Sequence, residues 1–427
     1  MANTLVLIHG YSDKGKSFTT WRDKLKDRYA KTEQICICDY VSLTNEVTIK
    51  DLAEGFDFAL KSRPGLQNDE DFDAIVHSTG MLVIRSWLTT YPARRDRLKH
   101  LIGLAPATFG SPLARKARSW IGAVFKGNKD LGPDFLESGD MILDGLELAS
   151  PFTWALAEKD LLGEFNYYDN TQATPYVHIF CGTEAYSGVR KLVNADGSDG
   201  TVNQAGTGFN VRRIVLDLTK TQSILDPSGK GNIKRWRLDD WAYPKIPVHL
   251  VDGLNHGTIL TDPTDELVGL VRGALDVEDA KSFNAWLKAA DAQGRIQRAN
   301  KGHWQQFVVR AYDERRDPIT DYNLQLFTDR EDPDTRVPAF DKNVSVYSKD
   351  ESYRCFLVNL DDFTQTTTLW LSVLASSGSE YVDYESFQMD PETRKGPVTS
   401  RSPWDAWLDL SGFMKPEDGF LSAFTTT

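Results

Sequence analysis

The chain has 427 residues, 41% of them hydrophobic, with 49 Lys and Arg against 61 Asp and Glu for a formal net charge of −12. That length favours two domains, and the acidic balance argues against a generic polyanion binder, so no nucleic-acid partner is expected. The apolar content, with 21 Phe, 15 Tyr and 11 Trp, excludes wholesale disorder.

The N-terminus passes at once into Leu5-Val6-Leu7-Ile8 without a basic n-region. No run of about 20 apolar residues follows. Neither a signal peptide nor a spanning helix is expected, and the cytoplasm is the default compartment. Over the first 280 residues short apolar runs alternate with helical patterns, which predicts a parallel sheet covered by helices on both faces. The predicted strands are Thr4–His9, Gln34–Cys38, Ala74–His77, Leu101–Leu104, Tyr176–Cys181 and Pro247–Val251. Between the first two, Ser17 is the expected cap of a helix whose Trp21, Leu25 and Tyr29 share one face. Between the fourth and fifth, the region 106–170 carries Trp120, Phe125, Ile142, Leu146, Phe152 and Trp154. It is read as a helical insertion over one end of the sheet, either a lid or a cap that closes the core.

A helix at Ala280–Ala290 and the polar Gln293–Gly302 form a helical linker over 281–302. Beyond it, over 303–427, the period changes. Gln306–Tyr312, Tyr322–Phe327, Val344–Tyr347, Tyr353–Asn359, Thr367–Leu374 and Tyr381–Phe387 are short runs rich in Tyr, Phe, Val and Thr between turn residues. They predict a C-terminal antiparallel β-sandwich domain. The four cysteines, Cys36, Cys38, Cys181 and Cys355, are too few and scattered for a disulfide framework and are read as reduced, buried thiols.

Two motifs compete for the chemistry. Gly10-Tyr11-Ser12-Asp13-Lys14-Gly15-Lys16-Ser17 matches the G-x-x-x-x-G-K-S of a phosphate-cradling P-loop, with Asp39 as a possible magnesium-holding acid. The rival is a serine hydrolase. Asp73-Ala74-Ile75-Val76-His77-Ser78-Thr79-Gly80 is a strand leading into His-Ser-x-Gly and then a helix through Leu82, Ile84, Trp87 and Leu88. That pattern places Ser78 on a sharp strand-to-helix turn. Val76 stands where the elbow usually has its first glycine, and a branched side chain there crowds the turn. Two later loops supply partners in the required order: Gly197-Ser198-Asp199-Gly200 after the fifth strand, and Asp252-Gly253-Leu254-Asn255-His256-Gly257 after the last. Ser78 is then the nucleophile, His256 the base and Asp199 the acid that orients it, with Asp196 and Asp252 as alternative acids. The oxyanion hole is assigned to the backbone N–H groups of Tyr11 and Thr79.

At His9-Gly10-Tyr11, His77-Ser78-Thr79-Gly80, Ser198-Asp199-Gly200-Thr201-Val202 and Asn255-His256-Gly257, residues 1–278 resemble the α/β-hydrolase superfamily, in particular bacterial lipases and esterases. Gly110-Ser111-Pro112 is similar to the Gly-Thr-Pro that opens the lid region of many lipases. The resemblance implies an α/β-hydrolase catalytic domain over 1–280. It also implies carboxylic ester hydrolysis through an acyl-enzyme, with a small-molecule or lipid ester as substrate and no metal or organic cofactor. A P-loop NTPase using Gly10–Ser17 and a catalytically silent hydrolase fold used for binding are the alternatives.

Overall fold

The computed structural model describes residues 4–9, 17–29, 31–35, 46–63, 66–67, 70–115, 140–168, 173–186, 196–216, 236–239, 246, 248–301, 304–329, 332–337, 344–359, 370–377, 404–409 and 421–426. The chain divides into two compact units, one of residues 1–211 and 241–302, the other of 212–240 and 303–427.

The first unit is built on six strands, β1 (Thr4–Ile8), β2 (Lys31–Ile35), β3 (Phe72–His77), β4 (Leu98–Leu104), β5 (Tyr176–Gly182) and one at Val248–Val251, in the order β2-β1-β3-β4-β5 and then Val248–Val251. Every neighbouring pair is parallel. Strands β1, β3 and β5 are buried along their whole length, as expected of a sheet covered on both faces. Side chains alternate between those faces. On one face Phe72 meets Phe56 of helix α2 (Ile49–Ser62) and Trp87 of helix α3 (Gly80–Thr90) at ring separations of 6.2 and 5.9 Å. On the other, His178 and His249 pack edge-on against Trp286 of the long helix Ala280–Lys301 at 4.4 and 4.9 Å. Thr48 and Asp51 start α2 with a reciprocal capping box.

Local details differ from the expectations. The second strand begins at Lys31, three residues before Gln34, and 36–40 lie outside the described residues. The first helix, α1 (Thr19–Leu25), has Phe18 at its N-cap with no side-chain cap, so Ser17 does not cap it. Trp21, Leu25 and Tyr29 are all buried there. Within the insertion, helices Asp140–Leu146 and Pro151–Asp160 are formed, the second started by Ser150 Oγ accepting from Phe152 N–H. Residues 116–139, with Trp120 and Phe125, lie outside the described set. No helix among the described residues is long and apolar enough to cross a membrane.

Among the described residues, the second unit holds two sheets. Strands at Tyr322–Phe327, Trp370–Ala375 and Trp404–Asp409 form one antiparallel sheet. The other is six-stranded and runs, edge to edge, Val344–Val346, Tyr353–Asn359, Trp304–Ala311, Leu421–Thr426, Val211–Leu216, Trp236–Asp239. Its Trp304–Ala311 and Leu421–Thr426 pair in parallel. Tyr322, Leu324 and Leu326 are buried while Asn323 between them is exposed, the alternation of a strand with one covered face. The strands at Trp404–Asp409 and Leu421–Thr426 have no counterpart among the predicted runs. The predicted Tyr381–Phe387 lies outside the described residues. Cys181 and Cys355 are free and buried, whereas Cys36 and Cys38 lie outside the described set.

Candidate active site

Strand β3 ends at His77 and α3 begins at Gly80, so two residues must reverse the chain. Ser78 does so with φ of 53°, a left-handed conformation that a residue with a Cβ adopts only under constraint. The surroundings supply the constraint: Ser78 N–H donates to Leu104 O, while Ser78 O accepts from Ala107 N–H at 3.0 Å and Met81 N–H at 3.2 Å. A Cβ at Gly80 would stand 2.7 Å from the carbonyl oxygen of Ile8, so only glycine lets α3 start this close to β1.

Val76 is accommodated from the side. It is fully buried in register with Gly103 of β4, where an added Cβ would strike Met81 Cε at 2.8 Å and Ile179 Cδ1 at 3.0 Å. The missing side chain at Gly103 leaves room there for Met81 of α3.

The acid loop folds on positive-φ turns at Gly197 and Gly200. These leave Asp199 fully buried. Its Oδ1 accepts from the N–H groups of Thr201 and Val202 at 2.9 and 2.8 Å. Its Oδ2 lies 2.8 Å from His256 Nδ1. Since a carboxylate only accepts, the proton between them sits on Nδ1 and leaves Nε2 of His256 as the basic nitrogen. His256 N–H also donates to Asp199 O at 3.0 Å. The alternative acids are placed elsewhere: Asp196 is exposed, and Asp252 accepts from Thr183 Oγ1 at 2.9 Å. Cys181 Sγ lies 3.9 Å from Asp199 Oδ2, and burial together with that carboxylate pushes its thiol well up, so it stays protonated.

The histidine reaches the elbow through a neighbour. Its ring centroid lies 4.6 Å from that of His77, the residue before Ser78, and the His9 ring lies 5.5 Å from His77. Burial, then His256 and His9, hold the proton affinity of His77 well below the ordinary histidine range. Thr79 follows Ser78 at the N-cap of α3, where the first N–H groups of a helix have no intrahelical acceptor. Tyr11, the other assigned oxyanion donor, lies outside the described residues, as do Gly10–Lys16 of the competing P-loop motif and its companion Asp39.

A buried support that the sequence reading did not single out holds these pieces together. Arg85 of α3 is fully buried and makes a two-pronged ion pair with Asp160 at 2.7 and 2.9 Å; it also donates to Thr108 O at 2.7 Å. Tyr168 adds its hydroxyl to Asp160 at 2.7 Å. Thr108 Oγ1 in turn donates to Thr207 O, and Ser111 Oγ to Thr201 O. The elbow helix, the segment after β4 and the acid loop are thus cross-linked.

A parallel sheet with a strained serine at the end of its third strand, followed by an acid and a histidine on later loops, is the arrangement of the α/β-hydrolase fold, here extended by a β domain. No protein-family model matches the chain, and no curated protein does. Among solved structures it is similar to phospholipase PlaB from Legionella pneumophila in complex with thio-NAD, with a TM-score of 0.75 and 20% identity over 99% of this chain and 92% of that one. A second PlaB structure matches at the same score and identity and is covered over 93% of its length. Lipase BlEst2 from Bacillus licheniformis in mature form matches at a TM-score of 0.39 and 12% identity, over 64% of this chain and 91% of that one. At these identities the likeness is one of fold.

Proposed function

We propose that the protein is a serine-dependent carboxylic ester hydrolase. The observation that carries the reading is the 2.8 Å bond between buried Asp199 and His256 Nδ1, with the His256 ring against His77, next to a serine at φ 53°. In this reading Ser78 Oγ attacks the acyl carbon while its proton passes to His256 Nε2. Asp199 holds the imidazole in that tautomer and stabilises the imidazolium. The N–H of Thr79, with that of Tyr11 as read from sequence, receives the oxyanion. His256 then protonates the leaving alcohol, and water, deprotonated by the same histidine, releases the acid and restores Ser78. Similarity in fold to a phospholipase adds acyl esters of glycerophospholipids to the candidate substrates.

The test combines a fluorophosphonate probe with p-nitrophenyl esters of several acyl lengths and a glycerophospholipid, for wild type and Ser78→Ala. Labelling and acid release by wild type alone are expected. A wild type that neither labels nor outpaces the alanine variant overturns the reading in favour of a silent, ligand-binding fold.

A further inference from the structure

The hydrolase reading leaves His77 without a part, yet its contacts are specific. His77 Nε2 lies 2.9 Å from the backbone oxygen of His256, across 179 residues of sequence. A carbonyl only accepts, so His77 carries its proton on Nε2, and its Nδ1 has no hydrogen-bond partner among the described residues. This bond completes a set around His256. The peptide before it is held by His256 N–H on Asp199 O at 3.0 Å and by Asn255 O accepting from Ile259 N–H at 3.1 Å. The peptide after it is held by His256 O on His77 and by Gly257 N–H on Asn255 Oδ1 at 3.0 Å. With both flanking peptide planes pinned, the direction of the His256 Cα–Cβ bond is fixed, and the Asp199 bond sets the ring about it.

Resting on the function proposed above, we infer that His77 is a positioning residue for His256: its Nε2–H anchors the backbone of the base to the strand that carries Ser78, and its ring supports the imidazole. It acts through His256 and touches no reacting atom. Histidine suits the place because it combines a flat ring with a donor while remaining neutral. Among the described residues, the titratable groups facing the pair include His9 beside His77 and Asp199 on His256, with Cys181 next to Asp199. A Lys or Arg in its place would set a permanent cation against the base and oppose its protonation during the reaction. Without the donor, the buried carbonyl of His256 would have to turn toward another partner and take the imidazole with it.

The experiment compares His77→Leu and His77→Gln, the second keeping an N–H at nearly the reach of Nε2. The rate of fluorophosphonate acylation of Ser78, kcat and KM on a p-nitrophenyl ester, and melting temperature are measured for each. The leucine variant should lose about 10²-fold in acylation rate and kcat with KM little changed, the size of effect expected from a misplacement of about 1 Å. Glutamine should recover at least about ten-fold of that loss, whatever happens to the melting temperature. Should leucine fail to fold, glutamine against the shorter His77→Asn decides in the same way. Leucine acylating at the wild-type rate, or glutamine no faster than leucine or asparagine, overturns the assignment. The two readings fail differently: an unlabelled wild type removes both, whereas a wild type that labels only at Ser78, alongside an equally fast leucine variant, removes only the role of His77.

Discussion

Three carboxylates compete for one role on sequence spacing, and the conformation of one loop distinguishes two of them. Left-handed turns at Gly197 and Gly200 rotate Asp199 inward, where two backbone N–H groups and His256 take its oxygens, while Asp196 stays in solvent. Spacing alone does not reveal this, because an Asp-Gly-Ser-Asp-Gly turn permits either aspartate to face the protein. The turn at Ser78 was easier to read: an apolar run ending in His-Ser-x-Gly before a helical pattern leaves few other ways to reverse the chain. The proposed roles make Asp199→Asn informative, since the amide keeps the shape of the side chain but no longer favours the Nδ1–H tautomer of His256. In serine proteases the same change costs about 10⁴-fold in kcat, and a loss of about 10³- to 10⁴-fold in ester turnover is expected here. Asp252→Asn, where the exposed carboxylate accepts from Thr183 Oγ1, should stay within about three-fold by the same steady-state assay, in keeping with substitutions away from buried networks. Equal losses in both variants would count against the proposed acid role of Asp199.

Helix α3 shows how a correct assignment of an element can still miss what fixes it in place. Its apolar positions were legible from their spacing, but nothing in that spacing singles out Arg85 among them. In the fold it is fully buried, its guanidinium 5.5 and 5.6 Å from the ring centroids of Phe109 and Phe209, and its partner Asp160 lies 75 residues away. No local pattern announces a partner at that distance. The strands at Trp404–Asp409 and Leu421–Thr426 escaped for a related reason: they are short, and their pairing is defined by neighbours distant in sequence. Burial makes the Arg85–Asp160 pair costly to break singly. Arg85→Met leaves a buried carboxylate without its counter-charge and should lower unfolding free energy by about 3–5 kcal/mol. In Arg85→Met/Asp160→Leu both charges are gone, and most of that loss should be regained. Denaturant unfolding of the two single variants and the double variant gives the coupling directly. A double variant as unstable as the sum of the singles would mean that the pair is not coupled and that Tyr168 and Thr108 hold Asp160 and Arg85 separately.

At the level of the whole chain, the alternating and then all-β patterns were enough to read an α/β region followed by a β-rich one. What they did not convey is that Val211–Leu216 and Trp236–Asp239, inside the first region by position, join the six-stranded sheet of the second unit. Strand membership there depends on pairing, which hydrophobic period does not encode. Histidine placement has a consequence for the stability of the first unit. His77 and His178 are both buried in it, and both have proton affinities held well below the ordinary value of about 6.5, chiefly by burial and then by neighbouring imidazoles: His256 and His9 for the first, His100 and His249 for the second. The sign follows from linkage. Below about pH 6.5 the unfolded chain takes up a proton at each of these positions and the folded chain does not, so their contribution is complete above that pH and is lost as pH falls toward the depressed folded values. Each histidine should steepen the fall by up to about 1.4 kcal/mol per pH unit, and the two together by about 2.7. His178→Phe, which keeps a ring against Trp286 and Phe283, should therefore be less acid-labile than wild type even if it is less stable at pH 7.5. Urea unfolding at pH 7.5, 6.5 and 5.5 for both proteins measures the two slopes. Roughly half of the histidine contribution should vanish in the variant, and an unchanged slope would show that His178 takes up its proton in the folded protein as readily as in the unfolded chain.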